Sequence, residues 1–543
     1  MKLIQASLLS LAMLGLSSLA PATAKHHQHG KLLSIPNLVD QPARAAEIKS
    51  VASQIANEKR TWRVGTVDYP FWDGPVARPG SLAEKIQLEQ VTQLRKYENT
   101  NGTGLLEIIG ISKFDTESDF QTFYTKATKY LPRPISLDNS DESFGYQRTS
   151  IKSFCIRLFN ADTDAFPSDP SLDIGANVAK ICGAKQTSLK SVVAGNNFFI
   201  SDLSKFGKWS NPATTASGSK FVASVTGFFC YNEDRKMLLP LAIRVVDTKV
   251  TYTPFDEPEE WKLAKMVLDT AESGYQQLQH FVDTHAVLVP VRVEVIRNLA
   301  ATHPVSALLL RVSSVDYGLE KLAANDLFNY STALDNATGF GAVGGIKFLG
   351  NQLKLASAYL EAYYSCDDAV AQDAELQNWA KACSTVTQLR DFPAKLTSVH
   401  ALTRVLTHLI FQGTVHHHAM AGAVGWQAAS APYSSFGLWK KLPAKKLAKG
   451  ETLNVLDYTT PKQVLPPLLV LTLKFARYVP ESESLISLFS ASPFTEEPKL
   501  VGVVSDFRKA LQAIETRITA TELNEKWPYD TLRPSMLAFT GWI

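Results

Sequence analysis

Trp261-Lys-Leu-Ala-Lys-Met-Val-Leu-Asp-Thr-Ala-Glu-Ser-Gly-Tyr-Gln-Gln-Leu-Gln-His280-Phe-Val-Asp-Thr-His285 is the stretch on which the reading of this chain turns. It carries no proline, one glycine and apolar residues at helical spacing, so it predicts a long helix over Trp261 to Val287. A lone histidine on such a helix is ordinarily a packed or surface residue. The pair His280 and His285 is more informative, because an i, i+5 spacing turns through about 500° and leaves the rings roughly 140° apart. Both can face one ion only if a π turn adds a residue between them, and π turns cluster at functional sites. The spacing is not H-E-x-x-H, so the glutamate that serves as general base in an exported zinc hydrolase is absent.

Outward from this stretch, helix signals also cover Ser313 to Leu327, Leu353 to Tyr364, Val399 to His418 and Leu500 to Leu523. Before it, Phe221 to Tyr231 is β-branched and aromatic, Asn232-Glu-Asp-Arg235 is turn-like, and Leu238 to Val246 follows as a partner strand. Polar-faced helices are expected over Glu47 to Glu58 and Ser81 to Tyr97, with a Pro- and Gly-rich loop over Tyr69 to Gly80. No series of evenly spaced short strands precedes them. The expected fold is therefore mainly α: one large helical domain with a minor β-hairpin or sheet.

Two more elements bear on a metal. His416-His417-His418 lies in Phe411-Gln-Gly-Thr-Val-His-His-His-Ala-Met-Ala-Gly422, a small and apolar setting. A neutral imidazole is the commonest metal ligand. His400 and His408, on the same helix, are read as structural. The segment Ser535 to Ile543 is almost wholly apolar, which suits burial, and a buried carboxylate needs a compensating cation.

These elements, in this order, resemble the lipoxygenase family. Asp141-Glu-Ser-Phe-Gly-Tyr-Gln-Arg148 is similar to the family's D-D-x-F-G-x-Q-R, and Leu239-Pro-Leu-Ala-Ile-Arg244 to its L-P-L-A-I-Q strand. Trp261 to Lys265 looks like W-L-L-A-K, and the His280/His285 pair and Arg297-Asn-Leu-Ala-Ala-Thr-His303-Pro-Val305 follow at the family's spacing. Trp527-Pro-Tyr-Asp-Thr-Leu-Arg-Pro534 resembles the P-Y-x-x-L-x-P run. The absence of a β-barrel, the signal-like segment from Lys2 to Ala24 and the N-x-S/T sequons at Asn101, Asn329 and Asn336 look most like the secreted fungal branch that includes the manganese lipoxygenases.

That resemblance implies one non-haem Mn or Fe ion held by His280, His285, His417 and the terminal carboxylate of Ile543, with a slip from His417 to His418 left open. The family's further Asn or His ligand falls on Ala421, or on Gly422 in the slipped register. Neither has a side-chain donor. Ala323 matches the residue that biases oxygen stereochemistry, alanine going with S products, and Leu327 a pocket-wall leucine. Arg311-Val-Ser-Ser314 replaces the family's P-H-x-R. The implied reaction uses a metal-bound hydroxide, with no side-chain base, to take a hydrogen from a polyunsaturated fatty acid of the linoleic type. Dioxygen then traps the radical as a hydroperoxide. The alternative is a degenerate relative that binds fatty acid or metal without efficient turnover.

The remaining features set limits. Lys2, the apolar Leu8 to Leu19 and Ala22-Thr-Ala24 read as a signal peptide over residues 1–24, so a secreted, extracellular product is expected. Residues 25–140 then form an N-terminal helical extension and 141–543 the catalytic domain. His26 to Gly30 is read as a frayed start, and the basic run Trp439 to Lys449 as a solvated loop. A formal net charge of +3 with dispersed signs gives no nucleic-acid footprint. No later run is long enough to span a membrane, and a monomer is expected. Asn101, Asn329 and Asn336 are candidate glycosylation sites. Five cysteines permit one or two bridges, Cys366 with Cys383 being a plausible local pair.

Overall fold

The computed structural model describes residues 32–57, 61–64, 67–70, 102–130, 137–209, 221–313, 349–386, 389–421, 431–434, 437–448, 450–462, 465–466, 479–523, 526–527 and 531–541. Residues 1–24, the His26–Gly30 tract, the 69–80 loop beyond residue 70, the helix expected at Ser81 to Tyr97, and Asn101, Ala323, Leu327, Asn329, Asn336 and Ile543 lie outside them. The described residues fall into two compact units. The first draws on Tyr97–Gln277 and Met420–Arg477, the second on Ala6–Lys96, Leu278–Ala419 and Tyr478–Ile543.

The first unit carries the sheet. The expected hairpin is the centre of five antiparallel strands in the order Arg157–Leu158, Phe198–Leu203, Val225–Asn232, Met237–Val245, Val250–Tyr252. The edge strands Arg157–Leu158 and Val250–Tyr252, two and three residues long, are too short for alternation to mark. The first hairpin strand begins at Val225; Phe221 pairs only as an isolated bridge with Leu438. Both central strands are buried nearly throughout, as expected when helices cover a sheet.

The helix Asp141–Thr149 lies against the strand Met237–Val245 so closely that a Cβ on Gly145 would stand 1.8 Å from the Leu238 carbonyl oxygen. The same helix is tied to the long helix Pro258–His280: Asp141 Oδ1 accepts from Trp261 Nε1 at 2.8 Å and from Lys265 Nζ at 2.9 Å. Two motifs 120 residues apart in sequence thus meet through one carboxylate.

Where the first helix ends, Arg148, together with Lys152 just beyond it, is buried against Asp269 and Glu272 of the long helix. Arg148 Nη2 donates to Asp269 at 2.7 Å and to Glu272 at 2.5 Å, and Lys152 Nζ donates to Asp269. Ser201 Oγ adds a 2.8 Å bond to Glu272. Burial pulls the Lys152 amine down and pushes the Glu272 carboxyl up, with the opposite charges of the group working against both shifts.

A disulfide joins Cys182, at the end of the helix Gly175–Cys182, to Cys230 within the sheet. The expected Cys366–Cys383 pair does not form. Cys366 is exposed where the helix Asp367–Gln372 begins, while Cys383 is buried inside the helix Ala374–Ser384.

The second unit is mainly helical, with one two-stranded antiparallel hairpin that pairs Thr61–Val64 with Val67–Pro70. Tyr69 and Pro70 therefore close a strand where a loop was expected. Its core joins Ala286–Asn298, Pro304–Val312, Leu349–Glu361, Ala374–Ser384, Val399–Phe411 and Val501–Glu522 around residues such as Leu288, Leu309, Tyr359, Trp379, Leu406 and Phe411. Ser398 caps the helix Val399–Phe411 by accepting from Ala401 N, and Leu402, Leu406, Leu409 and Ile410 form its buried stripe. Among the described residues no helix is long and apolar enough to cross a membrane. The chain is mainly helical with a small antiparallel sheet, as expected.

Candidate metal centre

The π turn demanded by the His280/His285 spacing is present. The helix Pro258–His280 runs into a five-residue π turn, Phe281–His285, and then into Ala286–Asn298. The extra residue offsets the rotation an α-helix would impose and brings His285 round toward His280. Thr284 donates its hydroxyl to the His280 carbonyl, one of those released from the regular ladder. Pro290, which has no N–H to give, follows within the next two turns.

A second π turn, which sequence reasoning missed, covers Gln412–His416 at the end of Val399–Phe411. Thr414 donates to the Ile410 carbonyl at 2.6 Å, as Thr284 does in the first turn. A threonine inside each of Phe281–His285 and Gln412–His416 is the signal that was available. Gly413 is required here by close approach. A Cβ on it would sit 2.3 Å from the Val312 carbonyl oxygen, which is backbone and cannot swing aside. Gly413→Ala is expected to cost about 1–3 kcal/mol by overpacking. Thermal unfolding checks this against Gly502→Ala, which meets nothing within 4 Å and should be neutral or stabilising.

The two π turns converge their histidines. The Nε2 atoms of His280 and His417 are 2.9 Å apart, those of His417 and His285 2.9 Å, and those of His285 and His280 3.2 Å. All three side chains are buried. Among the described residues this is the cluster of three or more His, Cys, Asp or Glu whose donor atoms could hold one ion. Burial, and then the neighbouring histidines, hold His280 and His417 well below the usual imidazole range, and burial takes His285 down to about 3. All three rings are therefore neutral at ordinary pH.

Neutral rings cannot satisfy this triangle among themselves. Each Nε2 is either an N–H or a lone pair, so in a three-membered ring at least one edge sets like against like. A cation removes the conflict by accepting all three lone pairs. An ion about 2.1 Å from each nitrogen would separate them by about 3.0 Å at right-angled coordination and by about 3.4 Å at tetrahedral coordination. The observed edges of 2.9 to 3.2 Å bring three imidazole nitrogens close enough together that they would hold one ion, and imidazole donors would suit Mn or Fe.

Of the two candidate registers, His417 turns its Nε2 into the triangle. His418 points elsewhere, its Nε2 2.9 Å from the Thr540 carbonyl oxygen. Ala421, four residues after His417 on the same helix, is buried and brings no donor atom. His416 is buried and His408 half-buried, each taken down to about 4 by desolvation, and neither belongs to the cluster.

The segment leading toward residue 541 is held firmly. Leu485 N–H donates to the Leu537 carbonyl at 2.7 Å and Phe539 N–H to the Glu483 carbonyl at 3.0 Å. Arg311, a residue at which the chain departs from the family pattern, lays its guanidinium 4.2 Å over the Phe539 ring. It also donates to the carbonyls of Leu488 and, at 3.0 Å, Ser487.

The sequence profile of the lipoxygenases matches residues 185–337 and 342–531. The chain belongs to the lipoxygenase family. It is 26% identical over 517 residues to the manganese lipoxygenase of Nakataea oryzae, spanning 81% of this chain and 80% of that one. It is 25% identical over 402 residues to the manganese lipoxygenase of Colletotrichum gloeosporioides (strain Cg-14); that match spans 64% of either chain, just under two thirds of the relative. Among solved structures, the manganese lipoxygenase of Gaeumannomyces graminis superposes with a TM-score of 0.74 at 22% identity, covering 94% of this lipoxygenase and all of that chain. That likeness concerns the fold.

Proposed function

We propose that this lipoxygenase is a non-haem metal dioxygenase that inserts O2 into polyunsaturated fatty acids of the linoleic type, with His280, His285 and His417 as ion ligands. The single observation that carries the reading is the buried Nε2 triangle with edges of 2.9 to 3.2 Å. When bound, Mn or Fe supplies the one-electron redox change that removal of a hydrogen from a 1,4-pentadiene requires. The chain's own residues do the rest. Three neutral imidazoles present lone pairs toward one point, and the carboxylate of Ile543 is the fourth ligand expected to join them. Two π turns fix the rings before an ion arrives, and burial keeps protons from competing for the nitrogens.

Similarity to the manganese lipoxygenases supports manganese as the first ion to try. The Cys182–Cys230 disulfide supports export to an oxidising compartment, in keeping with the leader-like residues 1–24. The test is metal content of the purified protein together with absorbance of the conjugated diene formed from linoleic acid. The expected result is about one Mn or Fe per chain and steady diene formation. A bound ion without diene formation would favour the degenerate reading, which the donorless Ala421 brings forward, and no bound ion would overturn the metal centre itself.

A further inference from the structure

His418 is not a ligand in this geometry, yet it touches the ligand set on one side and the closing segment of the fold on the other. Its Nε2 lies 2.9 Å from the Thr540 carbonyl oxygen. Its Nδ1 faces the Nδ1 of His417 at 3.4 Å, the two rings standing at 73°. Both residues are buried, His417 completely.

The proton positions follow in order. A carbonyl oxygen has only lone pairs, so the His418 Nε2 beside it carries a hydrogen and donates. In the neutral ring Nδ1 is then a bare acceptor. The His417 Nδ1 opposite must therefore be the donor of that contact, which leaves the His417 Nε2 as a lone pair, and that is the atom in the triangle. The backbone at Thr540 thus selects, through one intervening ring, the tautomer of His417 that can bind an ion. Groups that hold a ligating histidine's second nitrogen commonly set its orientation and tautomer.

We propose that His418 is a positioning residue of the metal centre, accepting the His417 Nδ1–H so that His417 offers its Nε2 to the ion. The inference rests on the reading of the triad as a metal centre. Its rival is that His418 merely anchors the 537–540 segment. The two roles use different ring nitrogens, and two amide substitutions separate them. In His418→Asn the amide oxygen falls near the place of Nδ1 and keeps the acceptor toward His417. In His418→Gln the amide nitrogen falls near the place of Nε2 and keeps the donor toward Thr540.

The measurement is the Mn dissociation constant of full-length protein by competition with a chelator, with far-UV circular dichroism as the check on folding. His418→Gln is expected to weaken binding by roughly 10–100-fold and His418→Asn by no more than about threefold. The reverse order, or wild-type affinity in the glutamine variant, overturns the proposal. Either variant decides alone if the other does not fold: tenfold loss in glutamine or near-retention in asparagine supports it, the opposite refutes it. Failure of the underlying metal-centre reading would appear separately, as absence of Mn binding by the wild-type protein.

Discussion

Replacing His417 with alanine is expected to leave a folded chain that retains no tightly bound ion and forms no measurable conjugated diene from linoleic acid. The Nε2 of His417 makes both 2.9 Å edges of the triangle, so its removal leaves two donors 3.2 Å apart where three had converged. Loss of a supporting hydrogen bond typically costs about 10–100-fold in metal affinity, and loss of a direct ligand should exceed that. The fold should survive, because a buried neutral imidazole replaced by a methyl group leaves a small cavity and no unpaired charge. Alanine at His408, on the same helix but outside the cluster, is the control and should keep its ion. Metal analysis after dialysis reads the outcome, and a His417→Ala protein with a full complement of metal would remove this residue from the ligand set.

The second large effect lies in the first unit and concerns stability. Asp269 accepts from both Arg148 and Lys152 in a site closed to water. Asp269→Leu would leave two buried cations facing the single carboxylate of Glu272. Removing one partner of a buried ion pair costs about 3–5 kcal/mol, because the remaining charge can be neither solvated nor matched. Against a total stability of about 5–15 kcal/mol, that is enough to reduce soluble yield and move the urea midpoint sharply. The double variant Asp269→Leu with Lys152→Met should recover most of the loss, since apolar replacement of a whole pair is often neutral. A single variant as stable as wild type would mean that water reaches the cluster.

How much was legible beforehand varies from element to element, for physical reasons. The helix carrying His280 announced itself through apolar spacing, and the i, i+5 histidines announced the π turn, because only an added residue lets both rings face one point. The helix Ala286–Asn298 was less legible. Val287, Val289, Val291, Val293 and Val295 alternate as a strand would, and Pro290 interrupts the run. Burial of Leu288, Val289, Val291 and Val295 in the helical core outweighed that local preference. The need for glycine at residue 413 was hidden, because the Val312 carbonyl that leaves no room for a Cβ there lies about a hundred residues earlier, and such contacts are not written in local pattern.

The cysteines make the same point from the other side. Cys366 and Cys383 are near in sequence, yet the bridge joins Cys182 to Cys230, whose Cα atoms the sheet and its covering helix bring to 5.1 Å. By itself the sequence determined the helical class and the small sheet through residue type and periodicity, while the family and the candidate ligand histidines came from resemblance to the lipoxygenase motifs. Only the tertiary structure decided that His417 rather than His418 enters the triangle, that His418 turns to Thr540, and that Arg311 stacks on Phe539. Adjacent histidines are equivalent in composition. What separates them is about 100° of helical rotation, and only the packing of the two π turns against one another fixes where that rotation points.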